Sequence, residues 1–294
     1  MADEKNGLIV IDGKHFGKAA QVLIEKVSQG IGGLYRPTQI RRIAKAEAEA
    51  GLIAAQNKLE IDELQMRAAQ RWLAEESRKQ ENIESITDKA IPLLHEQSDA
   101  SNVEDDWIAN FFEKTKIVSD GEMQKLWAKV LAGEANNPGT YSRRTVNIIA
   151  DLEKSDAQLF SRLCGFIWNV AGRVPLIFDT QADIYHQHGI SFDTLSHLET
   201  LGLITFNEMT GYSKIRLGGQ FPIVYFGKPI LITPSAGTLD IGKVLLTNAG
   251  HQLASVANAS PVDGFFEYVV QRYSSTAGVS VGPANLVTVK VPQA

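Results

Sequence analysis

Between Pro37 and Pro92 the sequence contains no proline, and no other feature limits the fold as much. Pro37 suits a first helical turn, so one helix is predicted from about residue 37 into the eighties. At ~1.5 Å per residue, about fifty residues extend roughly 75 Å, more than the width of a typical globular domain. Such a helix needs partners. Leu52, Leu59, Met66 and Leu73 recur at seven-residue spacing, with Ala48, Ala55 and Ala69 nearby. Ala50, Ala54, Ile61, Leu64 and Ala68 mark a second, roughly opposite seam, with Asn57 inside it as a register-fixing amide. Lys45 with Glu49, Lys58 with Asp62 and Glu63 with Arg67 dress the remaining surface. These seams predict a coiled-coil-like helix over 37–97 that joins protomers into a homo-oligomer. Coverage by helices of the same chain is the alternative.

The preceding segment, 1–36, holds an amphipathic helix from Lys14 to Tyr35, with Phe16, Leu23, Val27, Ile31 and Leu34 on one face. Residues 1–45 carry eight Lys or Arg against four acids. That balance beside an apolar face fits an anionic membrane surface or a protein partner. Packing on the chain's own core is the plainer alternative.

Downstream, QSDASNVED (97–105) reads as a polar linker. A central helical domain is expected over 104–172. Trp107, Ile108, Phe111 and Phe112 load its first helix, a Ser119/Glu122 capping box opens the second, and an Asn-Asn-Pro-Gly turn leads to a third capped by Ser142. A Ser155/Gln158 box opens a last apolar helix through Val170. Over 173–258, short strands and helices form a mixed unit, with strands at 175–178, 203–206, 213–217, 223–226 and 230–233 and a helix capped by Thr247. Residues 259–294 give a helix at 264–273 and a strand-like tail at 285–291. The fold class is therefore mainly α with a smaller α+β part.

The chain has a net charge of −5, which argues against coating nucleic acid while leaving local basic patches open. Cys164 lies among apolar residues and excludes an internal disulfide. No run approaches the ~18 apolar residues that cross a bilayer. The expected compartment is the cytoplasm, with peripheral attachment at the inner membrane left open. Among constellations, Arg143, Arg144 and Tyr141 opposite Asp120, Glu122 and Glu134 suggest an anion or partner contact at a helix start. Structural ion pairs are the alternative there. Asp183, His186, His188 and His197 have metal-ligand types without a metal-ligand spacing. Gly218-Gly219 lacks the helix and Lys-Ser/Thr of a phosphate loop. No metal, cofactor or catalytic residue is expected.

KQENIESITDKAIPLL, DDWIANFF, SDGEMQKLWAKVLAGE and PGTYSRRT, in that order, resemble a bacterial family known only as a domain of unknown function. The likeness extends through LFSRLCGFIWNV to LLTNAGHQLA. More loosely, Leu126, Ala128, Leu131, Ala132, Ser142 and Leu152 are similar to the pattern of alpha-type abortive-infection proteins, which implies phage defence. GISFDTLSHLETLGLI followed by paired strands and LLTNAGHQLA resembles a winged-helix domain. Its would-be reading helix carries Asp193, His197 and Glu199 without Lys or Arg, so protein contact is favoured over DNA, with Lys214 and Arg216 as the only nearby basic pair. Together these give a non-enzymatic oligomeric interaction or sensor protein. A winged-helix nucleic-acid binder is the second reading and an enzyme around Asp120, Arg143 and Arg144 the third.

Overall fold

A computed structural model of the chain describes residues 17–31, 63–215 and 217–283. Of these, about 52% are helical and 15% strand, so the fold is mainly α with some β. The chain forms two compact units, Met1–Val146 and Asn147–Ala294. The division falls inside a helix rather than at the polar segment 97–105, so the segment expected as one domain over 104–172 is shared between them.

The first unit is helical. Its elements are α1 (Lys18–Gly30), α2 (Glu63–Ala90), α3 (Asp105–Thr115), α4 (Gly121–Asn136) and the start of α5 (Arg143–Ala150). Helix α2 packs on α3 and α4, and α1 packs on α3 and on a 3-10 turn at Ala100–Asn102. Ala100 and Val103 are buried, which is why QSDASNVED is part of this core and not a linker. Trp107, Phe111 and Trp127 fill the centre, with Phe111 edge-on to Trp127 at 5.2 Å between ring centroids. Asp120, not Ser119, caps α4: its Oδ1 accepts the N–H groups of Glu122 and Met123 at 2.9 and 3.0 Å.

The second half of α2 is anchored through polar contacts as well as Ile83, Ile86 and Ala90. Buried Gln124 on α4 donates to the Val118 carbonyl at 2.9 Å and to Asn82 Oδ1 at 3.3 Å. It accepts from Ser85 and Lys89. A buried amide whose donors and acceptor are all engaged favours one register of α2 on α4 over its neighbours.

The second unit begins in α5 and adds α6 (Lys154–Cys164), α7 (Asp183–His186), α8 (Phe192–Thr200), α9 (Asn248–Ala254) and α10 (Phe265–Ser274). Its strands are β1 (Ile167–Asn169), β2 (Arg173–Pro175), β3 (Ile204–Phe206), β4 (Tyr212–Lys214), β5 (Phe221–Tyr225), β6 (Lys228–Pro234), β7 (Leu239–Gly242), β8 (Val244–Leu246) and β9 (Val279–Pro283). They form an antiparallel five-stranded sheet in the order β2-β1-β5-β6-β9 and two ribbons, β3 with β8 and β4 with β7.

Here several expectations change. The apolar helix predicted through Val170 stops at Cys164 and the chain turns into β1. Asp156 Oδ2 accepts the Glu153 N–H at 2.9 Å, so the box that opens α6 is Glu153/Asp156 and not Ser155/Gln158. The last described strand is β9 at Val279–Pro283, while the expected tail at 285–291 lies outside the described residues. Trp168 is buried between Tyr225 and Phe266, stacked at 5.1 and 5.6 Å. The Tyr225 hydroxyl donates to the Gly165 carbonyl at 2.8 Å and accepts the Val262 N–H at 2.6 Å.

Candidate functional site

The Pro-Gly turn after α4 is built around a carboxylate. Glu134, in the last turn of α4, accepts the Gly139 N–H through Oε1 at 2.6 Å and the Tyr141 N–H through Oε2 at 2.8 Å. Trp107 Nε1 donates to the Tyr141 carbonyl at 2.6 Å. The Tyr141 ring lies over Gly133, where an added Cβ would come within 2.8 Å of it. Gly133, Glu134 and Tyr141 thus lock the turn between α4 and α5, and Ser142 Oγ caps α5 by accepting the Thr145 N–H at 3.2 Å.

Beside this lock is a cleft of about 340 Å³ lined by Asn102, Glu104, Trp107, Glu134, Tyr141 and Arg143, among others. Burial pushes the Glu134 carboxyl above the usual glutamate range and nearby Glu104 acts in the same direction, against the N–H groups of Tyr141, Gly139 and Thr140. Arg143 is exposed and faces Asp106 at 3.5 Å, a surface pair of little energetic weight. A phosphate entering the cleft would meet Glu104 and Glu134 as well as Arg143.

The cluster expected at Asp120, Glu122, Tyr141, Arg143 and Arg144 is divided by its own helix. Asp120 and Glu122 sit at the start of α4. Tyr141 and Arg143 lie beyond its end, about 24 Å away at 1.5 Å per residue for sixteen residues. Arg144 is exposed. Asp120 has a structural task at its cap.

Glu134 gives a direct pH test. A carboxyl whose folded pKa is raised contributes stability that is complete below its unfolded pKa and is lost as pH rises through the folded value. The stability of the wild type relative to Glu134→Gln is therefore expected to fall as pH rises from the ordinary glutamate value. Thermal melts across that range measure it, and a wild type that gained stability relative to Glu134→Gln as pH rose would show that the two N–H bonds outweigh burial.

The amphipathic face of α1 is an internal surface. Leu23 and Val27 are fully buried in the first unit, and Lys26 Nζ reaches Asp105 Oδ1 at 2.6 Å. As a membrane face these two residues are ruled out, because a side chain already covered by its own core has no apolar area left for lipid. Ile31 is half-buried. Phe16 and Leu34 lie outside the described residues.

The seam residues on α2 behave in the opposite way. No residue of α2 before Asn82 is buried. Leu64 and Trp72 are 64% and 63% exposed, while Met66, Ala69 and Leu73 are half-exposed. Trp72 was not singled out by the spacing argument, although it extends the Ile61–Leu64–Ala68 seam four residues on. Leu52, Leu59 and Ile61 lie outside the described residues. The histidines have local duties: His186 Nε2 contacts the Thr180 carbonyl, His197 Nε2 lies 2.8 Å from Asp156 Oδ1, and His188 packs edge-on to Phe166. Among the described residues no group of three or more His, Cys, Asp or Glu could hold a metal, and no helix is long and apolar enough to cross a membrane.

The elements just described, from the seam of α2 through the Trp107–Glu134–Tyr141 lock to α10, are also those covered by a family model: that of the protein of unknown function DUF2806 matches residues 66–270. The chain belongs to that family. No curated protein and no solved structure matches the chain. The DUF2806 match takes in the lock in full and begins at Met66, within the exposed half of α2. The stretch that carries the resemblance to a domain of unknown function contains the lock together with Trp107 and Trp127, which build the helical unit.

Proposed function

We propose that this DUF2806 protein is a non-enzymatic interaction protein that assembles with copies of itself through the first half of α2. One observation carries the reading: the first half of α2, from Glu63 to Gln80, has apolar residues on two faces and none of them buried. A helix stabilises itself in water mainly by burying such a face, and its own hydrogen bonds are insufficient at this length. Met66 and Leu73 keep the seven-residue spacing of a coiled-coil seam, Ala69 allows close approach, and Arg71 with Glu75 at 3.6 Å supplies a flanking charge pair. A second copy matches this surface because it offers the same spacing. Sedimentation of the full chain against concentration tests the assembly.

The second unit we read as winged-helix-like, supported by the order of Ser191-capped α8, the β3–β8 ribbon and Thr247-capped α9. Its role in this proposal is protein contact. On α8, His197 is engaged with Asp156 and Glu199 accepts the Phe206 N–H at 2.8 Å, so the helix offers no cation to a phosphate backbone. Antiphage defence is the cellular setting we propose for the assembly, supported by the abortive-infection resemblance alone. Plating efficiency of phage on cells expressing the wild type or an α2-seam variant tests it.

A further inference from the structure

The cleft beside the Trp107–Glu134–Tyr141 lock has no task in the proposed assembly. It holds about 340 Å³, and Asn102, Glu104, Trp107, Glu134, Pro138 and Arg143 line it, all of them within the first unit. Glu134 is only 3% exposed, and a carboxylate that deep in a fold is ordinarily paired with a cation. Here it is not. Among the described residues no Lys, Arg or His pairs with Glu134 or Glu104, because Lys26 goes to Asp105 and Arg143 to Asp106.

Both carboxylates keep acceptor capacity. The Gly139 and Tyr141 N–H groups take one position on each Glu134 oxygen, whereas a carboxylate offers about four in all. Glu104, the N-cap of α3, makes no capping bond with its side chain. Burial and Glu104 together push the Glu134 carboxyl above its usual range, opposed by backbone N–H groups and by no cation.

We infer that the cleft binds a primary alkylammonium group, of a free amine or of a lysine side chain, between Glu104 and Glu134. Arg143 is already answered by Asp106, so the uncompensated charge in the cleft is that of the two carboxylates, and the three N–H donors of an ammonium suit acceptors on both. A metal ion does not suit it. Calcium and magnesium take six or more oxygen ligands, and among the described residues no group of three or more His, Cys, Asp or Glu could hold one. The Trp107 indole and the Pro138 ring give the cleft apolar wall for the methylenes behind the charge. Trp107 Nε1 is committed to the Tyr141 carbonyl, so the indole presents no free N–H to repel an ammonium.

The test follows the Trp107 indole N–H by NMR in the full chain at mildly alkaline pH, where carboxylates are ionised and alkylamines charged. The probes are n-pentylamine, its uncharged counterpart n-pentanol, and lysine capped at both ends as N-acetyl-lysine methylamide. The expected result is a saturable shift with pentylamine and none with pentanol. Glu104→Gln weakens binding about tenfold, the worth of one charge-assisted contact; it spares the lock, and unchanged thermal melts show that the variant folds. Arg143→Gln does not weaken it, because the guanidinium has the same sign as the ligand, whereas an anion site would lose affinity. Capped lysine binding as tightly as pentylamine assigns a protein side chain, and pentylamine binding alone assigns a free amine. No saturable shift with pentylamine, an equal response to pentanol, equal affinity in Glu104→Gln or weaker binding in Arg143→Gln would overturn the site.

Discussion

Gly250→Ala is expected to destabilise the second unit by about 3 kcal/mol, the upper range for forcing atoms into packed structure. Helix α9 starts against the backbone of Leu203: Thr247 Oγ1 donates to the Gly202 carbonyl at 2.7 Å and accepts the Gly250 N–H at 3.1 Å, and the Thr247 N–H donates to the Leu203 carbonyl at 3.1 Å. A Cβ on Gly250 would lie 2.0 Å from that Leu203 oxygen. Main chain stands on both sides of the clash, so no side chain can turn away from it. Helix α9 must lift, and the Thr247 bonds go with it. Gly218→Ala is the control: nothing lies within 4 Å of its added Cβ, and an effect within about 0.5 kcal/mol is expected. Urea denaturation of both variants measures the contrast, and similar midpoints would contradict the close approach of α9 to Leu203.

The second large effect concerns assembly without folding. Met66→Glu combined with Leu73→Glu places two charges in the seam of α2, where neither residue is buried in the first unit. The unit itself should lose no more than about 0.5 kcal/mol, because exposed positions carry little of its stability and glutamate is a good helix former. Association of two protomers should lose about 4 kcal/mol, four half-exposed apolar side chains (two from each copy) at about 1 kcal/mol each, or roughly a thousandfold in dissociation constant. Circular dichroism and light scattering on one sample separate the two. Loss of helical signal along with mass would mean that these positions support the fold.

Elements fixed by local signals were legible in the sequence. Thr247 caps α9 as expected, and the Asn-Pro-Gly turn with Ser142 opens α5. Elements decided by distant partners were not. FSRLCGFIWNV reads as one apolar helix, yet Gly165 passes so near the Ser260 carbonyl that an added Cβ would lie 2.9 Å from it. Trp168 then pairs with Val174 in β2, and Asn169 with Val224 in β5. The pairing of Asn169 with Val224 is set by register over a long separation, which local periodicity does not record. Strands β7 and β8 escaped notice for the same reason, since their partners β4 and β3 lie far back in the chain. At the candidate site, Tyr141 and Arg143 were found by residue type. Their separation from Asp120 follows only from the length of α4, and the role of Glu134 only from the turn that it holds.

Self-association through α2 is most directly tested by sedimentation equilibrium of the unmodified chain over a wide concentration range. The account predicts a mass that is a multiple of the 32.2 kDa protomer, falling toward one protomer in the Met66→Glu, Leu73→Glu variant at the same concentrations. A wild-type mass of one protomer at every concentration would contradict it.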